Sequence, residues 1–246
     1  IFGVAIATAI LPTLSAQAAR GSFEELRKTL GFGLRMILFI ILPAMAGLIL
    51  LRQPIVHLFF EHGTFSAQDT AATALAVLCY AVGLWAFAGV RIIVAAYYAV
   101  QDTATPALVA AIAVLVNLGL SIVLMEPLGH AGLALATALA AMVNVSVLVY
   151  RLNHRLGGVE WGEVLRSSGR SVIAVIPVVL ACLWVAELDL WTRPAEWTVK
   201  SLMLCVGIGV SVIGYLGVHA LLKSHELDVL VGIVKRKLRV GGPACG

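Results

Sequence analysis

Residues 107–125, ALVAAIAVLVNLGLSIVLM, decide the fold. The stretch carries no charged side chain and is long enough to cross a hydrocarbon core of roughly 30 Å as an α-helix. It lacks the ten-residue polar and apolar alternation of a membrane β-barrel strand. Six further apolar runs accompany it, and the predicted spans lie at about 1–19, 33–51, 74–98, 107–125, 131–150, 171–190 and 199–222. The composition agrees: of 246 residues, 61% are hydrophobic and 12% charged, with a mean hydropathy of +1.01. Soluble domains carry roughly a quarter charged residues. An ordinary soluble enzyme, a disordered chain and a nucleic-acid-binding module are thereby excluded, and an all-α polytopic membrane bundle is predicted. Ile1 is not an initiator methionine, and apolar sequence begins at once, so the chain reads as part of a longer protein.

The breaks between spans have their own chemistry. Ser22 with Glu25 has capping-box spacing and Glu24 with Lys28 is an i,i+4 pair, predicting a short surface helix after Gly21. Pro106 ends the turn that starts at Gln101, and Glu126, Pro127, Gly129 and Gly132 mark a second turn. Spans three, four and five therefore run antiparallel. Counting Lys and Arg by alternate loops puts twelve on one side, including Arg20, Arg27, Arg151, Arg155, Arg166, Arg170 and Lys235, and only Arg52, Arg193 and Lys200 on the other. The basic side is cytoplasmic, and it holds the C-terminus. Trp184, Trp191 and Trp197 near the outer loop, Trp161 in an inner one, and Tyr97, Tyr98 and Tyr150 at inner ends read as interfacial aromatics. The tail after Leu222 sets Leu227, Leu230, Val231, Val234 and Leu238 at helical spacing beside Lys235, Arg236, Lys237 and Arg239. It reads either as an interfacial amphipathic helix facing anionic lipid or as a continuation of the last span.

Polar residues within the apolar runs are the candidate functional groups, because a charge near the bilayer centre costs about 2.5–3.5 kcal/mol on insertion scales. Arg35 opens span two, where snorkelling is the simpler reading, and Arg91 lies deeper, in span three. Asn117 and Ser121 share a face of span four, and Thr137, Asn144 and Ser146 lie on span five. Asn117, Ser121 and Thr137 either bond helix to helix or present oxygens to a small cation. Pro43 and Pro177 interrupt spans two and six. His57, Glu61 and His62 read as an outer interfacial helix without a full metal-ligand set. Cys79, Cys182, Cys205 and Cys245 have no metal or disulfide spacing. Neither a nucleophile elbow nor an H-E-x-x-H pattern is present.

Several stretches together resemble the MurJ (MviN) family of lipid II flippases, in the multidrug/oligosaccharidyl-lipid/polysaccharide exporter superfamily. They are GVAIATAILPTLSAQAARG at 3–21, GLRMILFIILPAMAGLILL from Gly33, LFFEHGTFSAQDT at 58–70, YYAVQDTATPALVA at 97–110 and EPLGHAGLALATALAAMVN at 126–144. The resemblance implies a fourteen-helix protein of two lobes plus two added helices, of which the seven spans here are the eighth to the fourteenth. Residues 1–150 would be the C-terminal lobe, 151–222 the two added helices and 223–246 a basic cytoplasmic tail.

The activity so implied is not enzymatic. It is transfer of undecaprenyl-diphosphate-linked peptidoglycan precursor across a bacterial inner membrane by alternating access, with membrane lipids and cell-wall synthesis proteins as partners and no nucleic acid. Arg35, Arg91, Asn117 and Asn144 are then the transport-pathway candidates. By the same resemblance Asn117, Ser121 and Thr137 match a sodium site, with Ser121 where a carboxylate is expected; sodium or the membrane potential would be the driving force, and no other cofactor is expected. The diphosphate-gripping arginines belong to spans before Ile1, and the last two spans border a groove for the prenyl tail. The competing readings are an exporter of another lipid-linked glycan or of drugs, a non-transporting scaffold, and an embedded glycan-processing enzyme using Glu61, His62 or Glu126.

Overall fold

The computed structural model describes residues 2–60, 65–159, 161–188, 191 and 197–240, with side chains described as far as Gly232. Glu61, His62, Arg193 and Cys245 lie outside the described residues, as do the side chains of Lys235, Arg236, Lys237 and Arg239. In chain order the helices are α1 (Phe2–Ala19), α2 (Phe23–Leu50), α3 (Arg52–Phe60), α4 (Ala67–Val82), α5 (Leu84–Ala99), α6 (Ala104–Leu128), α7 (His130–Leu156), α8 (Trp161–Ala174), α9 (Ile176–Ala186), α10 (Trp197–Leu221) and α11 (His225–Val240). Taken with α4–α5 and α8–α9 as broken pairs, they supply seven helices long and apolar enough to cross a membrane. The protein is a multi-pass helical membrane bundle.

Three predicted boundaries move. The surface helix expected after Gly21 is not separate: α2 runs unbroken from Phe23 to Leu50, and Ser22 makes no side-chain cap bond. Gly31 and Gly33 do not stop it, because Gly33 is buried under Ile10 of α1 and a Cβ there would sit 2.7 Å from the Ile10 Cδ1. The capping box forms instead at Ser66, whose hydroxyl oxygen accepts the Asp69 amide while the Asp69 carboxylate accepts from the Ser66 backbone. Spans three and six are each broken once. Gly83 interrupts the first where it passes Ala138 of α7, and Val175, two residues before Pro177, interrupts the second.

Two apolar cores share α2. The first gathers Leu14 of α1, Leu26 to Ile37 of α2, Ile92 and Tyr97 of α5, and Leu148 and Leu152 of α7. The second gathers Phe39 and Leu51 of α2, Leu58 of α3, Val178 to Val185 of α9, and Leu204 and Tyr215 of α10. Tyr97 is therefore a core residue, 1% exposed, donating its hydroxyl to the Leu148 carbonyl at 3.0 Å. Sequence position alone puts it in the interfacial belt, but the neighbouring Tyr98 is the one that faces outward. By contrast α6 is exposed along most of its length, through Leu108, Leu115, Leu118, Ile122 and Val123. An apolar helix without a polar face is stable in that situation only in lipid.

Asp102 ties the α5–α6 turn together. Its carboxylate accepts the Thr105 amide at 3.0 Å and the Thr105 hydroxyl at 2.8 Å, and pairs with Arg155 of α7. The Thr105 amide bond, ahead of the Thr105 hydroxyl and Arg155, holds the Asp102 carboxyl below the usual carboxylate range. A depressed carboxylate stabilises the fold above its unfolded pKa and ceases to do so as pH falls through its folded value. Asp102→Asn is accordingly expected to lower the melting temperature in detergent at neutral pH, with the gap from the parent closing as the pH is taken below about 4.

Candidate functional site

The two intramembrane arginines have different surroundings. Arg35, one turn before Phe39 on α2, pairs with Glu163 of α8, and its Nε lies 3.9 Å from Glu226 of α11. Its side chain is 19% exposed. Ser167 of α8 donates to Glu226 at 2.8 Å, so three helices converge on this guanidinium, and the Glu163 and Glu226 carboxylates balance it. Sequence reasoning missed both carboxylates, because one lies 128 and the other 191 positions away.

Arg91 is exposed on α5, and no hydrogen bond or ion pair engages it among the described residues. The buried side of α5 carries Ala88, Ile92, Ala95 and Ala96 against α1 and α7, so Arg91 leaves the lobe on the opposite side, together with Tyr98. Counted along α5, it lies eight residues from the helix's C-terminal end at Ala99, about 12 Å at the helical rise. A lone guanidinium at that depth requires water, anion or protein around it rather than acyl chain. This face of α5 therefore lines something polar.

Asn117, Ser121 and Thr137 come together as the spacing predicts. The Asn117 amide nitrogen donates to the Thr137 hydroxyl at 3.1 Å, Ser121 donates to the Asn117 carbonyl oxygen at 3.4 Å, and Thr137 donates to the Leu133 carbonyl at 2.8 Å. Thr137 has its one proton engaged, so it can only accept from Asn117, which fixes the amide orientation. The result is a hydrogen-bonded clasp between α6 and α7. A sodium ion needs a shell of oxygens, whereas here an N–H points into the centre and no carboxylate is at hand. The residues as arranged do not fit the ion. Asn144 is half-buried on α7, with a side-chain oxygen that lacks a hydrogen-bond partner. No group of three His, Cys, Asp or Glu side chains suited to a metal occurs among the described residues.

A further feature is one to which the sequence assigns no individual residue. An apolar groove of about 430 Å³ opens between α2 and the α9–α10 pair, lined by Phe39, Pro43, Leu51, Cys182, Val212 and Tyr215 among others. Glycines draw α9 and α10 together: a Cβ on Gly207 would overlap Val185, and one on Gly214 would meet Pro177 at 3.0 Å. One end is held by α3, where His57 Nε2 and Lys200 Nζ of α10 lie 2.8 Å apart and Trp197 donates to the Leu58 carbonyl at 3.3 Å. The predicted helix at His57 is thus a packing element on the first turn of α10.

The opposite end of the groove is held through a proline. Pro43 has no N–H to give to the carbonyl four residues back, that of Phe39, and the Tyr215 hydroxyl supplies the missing donor at 2.7 Å.

Comparison with known proteins gives this bundle relatives. The family model "Lipid II flippase MurJ" matches residues 1–207. The chain is 32% identical to the probable lipid II flippase MurJ of Vibrio cholerae over 93% of its own length and 44% of that protein's. With the lipid II flippase MurJ of Thermosipho africanus it shares 33% identity over 61% of this chain and 30% of the relative. A solved lipid II flippase MurJ in an inward closed conformation superposes with a TM-score of 0.70 at 27% identity, over 91% of this chain and 44% of that one. The chain spans less than half the length of these relatives. A match that takes in α1 to α9, the broken spans and the α6–α7 clasp alike places the chain in the lipid II flippase MurJ family.

Proposed function

We propose that this chain is the part of a lipid II flippase that walls one side of the headgroup path and carries the groove for the lipid tail. The observation that carries the reading is Arg91, an exposed cation without a partner among the described residues, on a helix face that has to meet something polar inside the membrane. A diphosphate-linked sugar head cannot cross bare hydrocarbon, since its charges and hydroxyls would be left without partners. Arg91 offers such a head a charge-assisted contact.

On a separate flank, the apolar groove between α2 and α9–α10 suits a polyprenyl chain. Head and tail then travel along different surfaces of the same bundle. Asn144, with its unpartnered oxygen, offers the head a hydrogen-bond acceptor. Since Asn117 and Thr137 are bonded to each other, the driving force in this reading is the membrane potential, with no step routed through sodium. The protein sits in a bacterial inner membrane with its basic loops and C-terminus in the cytoplasm.

The test is rescue of growth in a bacterium depleted of its own lipid II flippase, using the natural protein that carries this chain. Rescue, with labelled lipid II appearing in the outer leaflet, is the expected outcome. If lipid II stays inside while another lipid-linked glycan or a drug is exported, the reading fails in favour of that exporter. Transport is also expected to run at the same rate when choline replaces sodium in the buffer, and to fall when the membrane potential is collapsed.

A further inference from the structure

The groove stops at Phe39 and Tyr215. Tyr215 lies six residues, about 9 Å, before the inner end of α10. What stops it is a trio of rings: Phe39 and Tyr215 lie with centroids 5.3 Å apart, and the buried His219 stands edge-on to both, at 4.5 and 4.6 Å. The trio belongs to a layer to which three helices each contribute a pair of side chains one turn apart. They are Arg35 and Phe39 of α2, Ser167 and Ser171 of α8, and Tyr215 and His219 of α10. The layer is covered by Glu226 in the first turn of α11 and by Ser224 just before it, whose hydroxyl lies 2.8 Å from His219 Nδ1.

This layer is closed but not satisfied. Arg35 Nε, Ser171 Oγ and His219 Nε2 are buried without a hydrogen-bond partner among the described residues, and leaving a buried polar group orphaned is costly. The Phe39 carbonyl, released by Pro43, depends on Tyr215 alone among the side chains. Chain breaks flank the layer at Val175, between α8 and α9, and at Lys223, which has a φ of +48° between α10 and α11. Such a layer, with unused hydrogen-bonding capacity, one cross-helix bond at a kinked carbonyl and a joint on either side, has the features of an element with two arrangements.

We infer that Phe39, Tyr215 and His219 form an inner gate of the tail groove, bolted by the Tyr215 hydroxyl on the Phe39 carbonyl and backed by Glu226 against Arg35. This rests on the tail-groove reading. In the arrangement described here the gate is shut, so a polyprenyl chain in the groove ends at the rings. Loading from the inner leaflet requires α10 to part from α2 at Tyr215. The three rings are positioning residues for the tail.

The experiment uses a polyprenyl phosphate with a diazirine at the tail end, photolysed on the natural protein in lipid nanodiscs, with labelled peptides mapped by mass spectrometry. In the parent, label is expected on the groove side, around Leu48, Cys182 and Val212, and not on Ser167, Ser171 or Leu230. Tyr215→Phe and Glu226→Gln are each expected to raise labelling inward of the rings about tenfold, the change that loss of one buried hydrogen bond produces. Pro43→Ala returns an N–H to the Phe39 carbonyl, so in that background Tyr215→Phe is expected to lose most of its effect.

Groove labelling that stays outside the rings in all variants overturns the gate while leaving the groove intact. Equal labelling on both sides in the parent overturns it too. Absence of label from the groove in every form overturns the tail-groove reading itself. Glu226→Gln leaves the Tyr215 bolt in place, which guards against a Tyr215→Phe protein that does not fold.

Discussion

Arg91→Ala and Arg91→Glu are expected to abolish rescue of a flippase-depleted cell, with Arg91→Lys retaining part of it. Arg91 contributes little to the stability of the bundle, since no carboxylate or carbonyl of the described chain holds it, so expression and melting temperature should be unchanged. The loss belongs to transport. A charge-assisted contact to a diphosphate or its sugar contributes about 1.5–3 kcal/mol, which converts to about 10- to 150-fold in rate. Glutamate adds repulsion of an anionic head and should be worse than alanine. Lysine keeps the charge but loses the planar fork that grips two phosphate oxygens at once. The measurement is outer-leaflet appearance of labelled lipid II in inverted or intact cells. Growth and transport at parental levels in both the alanine and glutamate variants would remove the cationic path from this face of α5, and with it the scaffold would become the better reading.

Gly132→Ala should be the most damaging small substitution in the lobe. The chain turns from α6 into α7 through Gly129 alone, at φ +57° and ψ −134°, a conformation open to glycine and strained for other residues. One turn further on, a Cβ at Gly132 would overlap the Leu124 carbonyl, a backbone atom that cannot swing aside. Relief requires the α6–α7 pair to separate, stretching the Asn117–Thr137 clasp. A cost of about 3 kcal/mol is expected, at the upper end of core overpacking. It would be read as a fall in melting temperature and in monodisperse yield from detergent. Gly119→Ala on α6 is the control: a Cβ there meets nothing within 4 Å, and the change should be neutral or slightly stabilising. Equal behaviour of the two variants would show that the tight turn is not a constraint.

Much of the site was legible in the sequence where chemistry is local. Asn117, Ser121 and Thr137 meet because a one-residue turn folds two long helices back on each other, and helical spacing puts them on the facing sides. The partners of Arg35 were not legible. Glu163 and Glu226 sit in segments that read as loop and tail, and only the packing of α8 and α11 against α2 brings them to the guanidinium. Tyr97 and Tyr98 are adjacent and chemically alike, yet one is core and the other exposed, because α7 covers only one side of α5. The continuous α2 has a related cause: Gly33 is a place where a neighbouring helix approaches the backbone, through Ile10 of α1.

Apolar run length and the absence of charge within the runs determined the bundle and the number of spans, because hydrocarbon leaves a chain no other way to satisfy its backbone. Tertiary structure alone decided which polar groups are paired and which stand free. It gave Arg35 two carboxylates and left Arg91 open, and it set the Tyr215 hydroxyl on the carbonyl that Pro43 releases. A proline announces in the sequence that a carbonyl is freed. Which residue answers it depends on a helix more than 170 positions away, and only packing brings the two together.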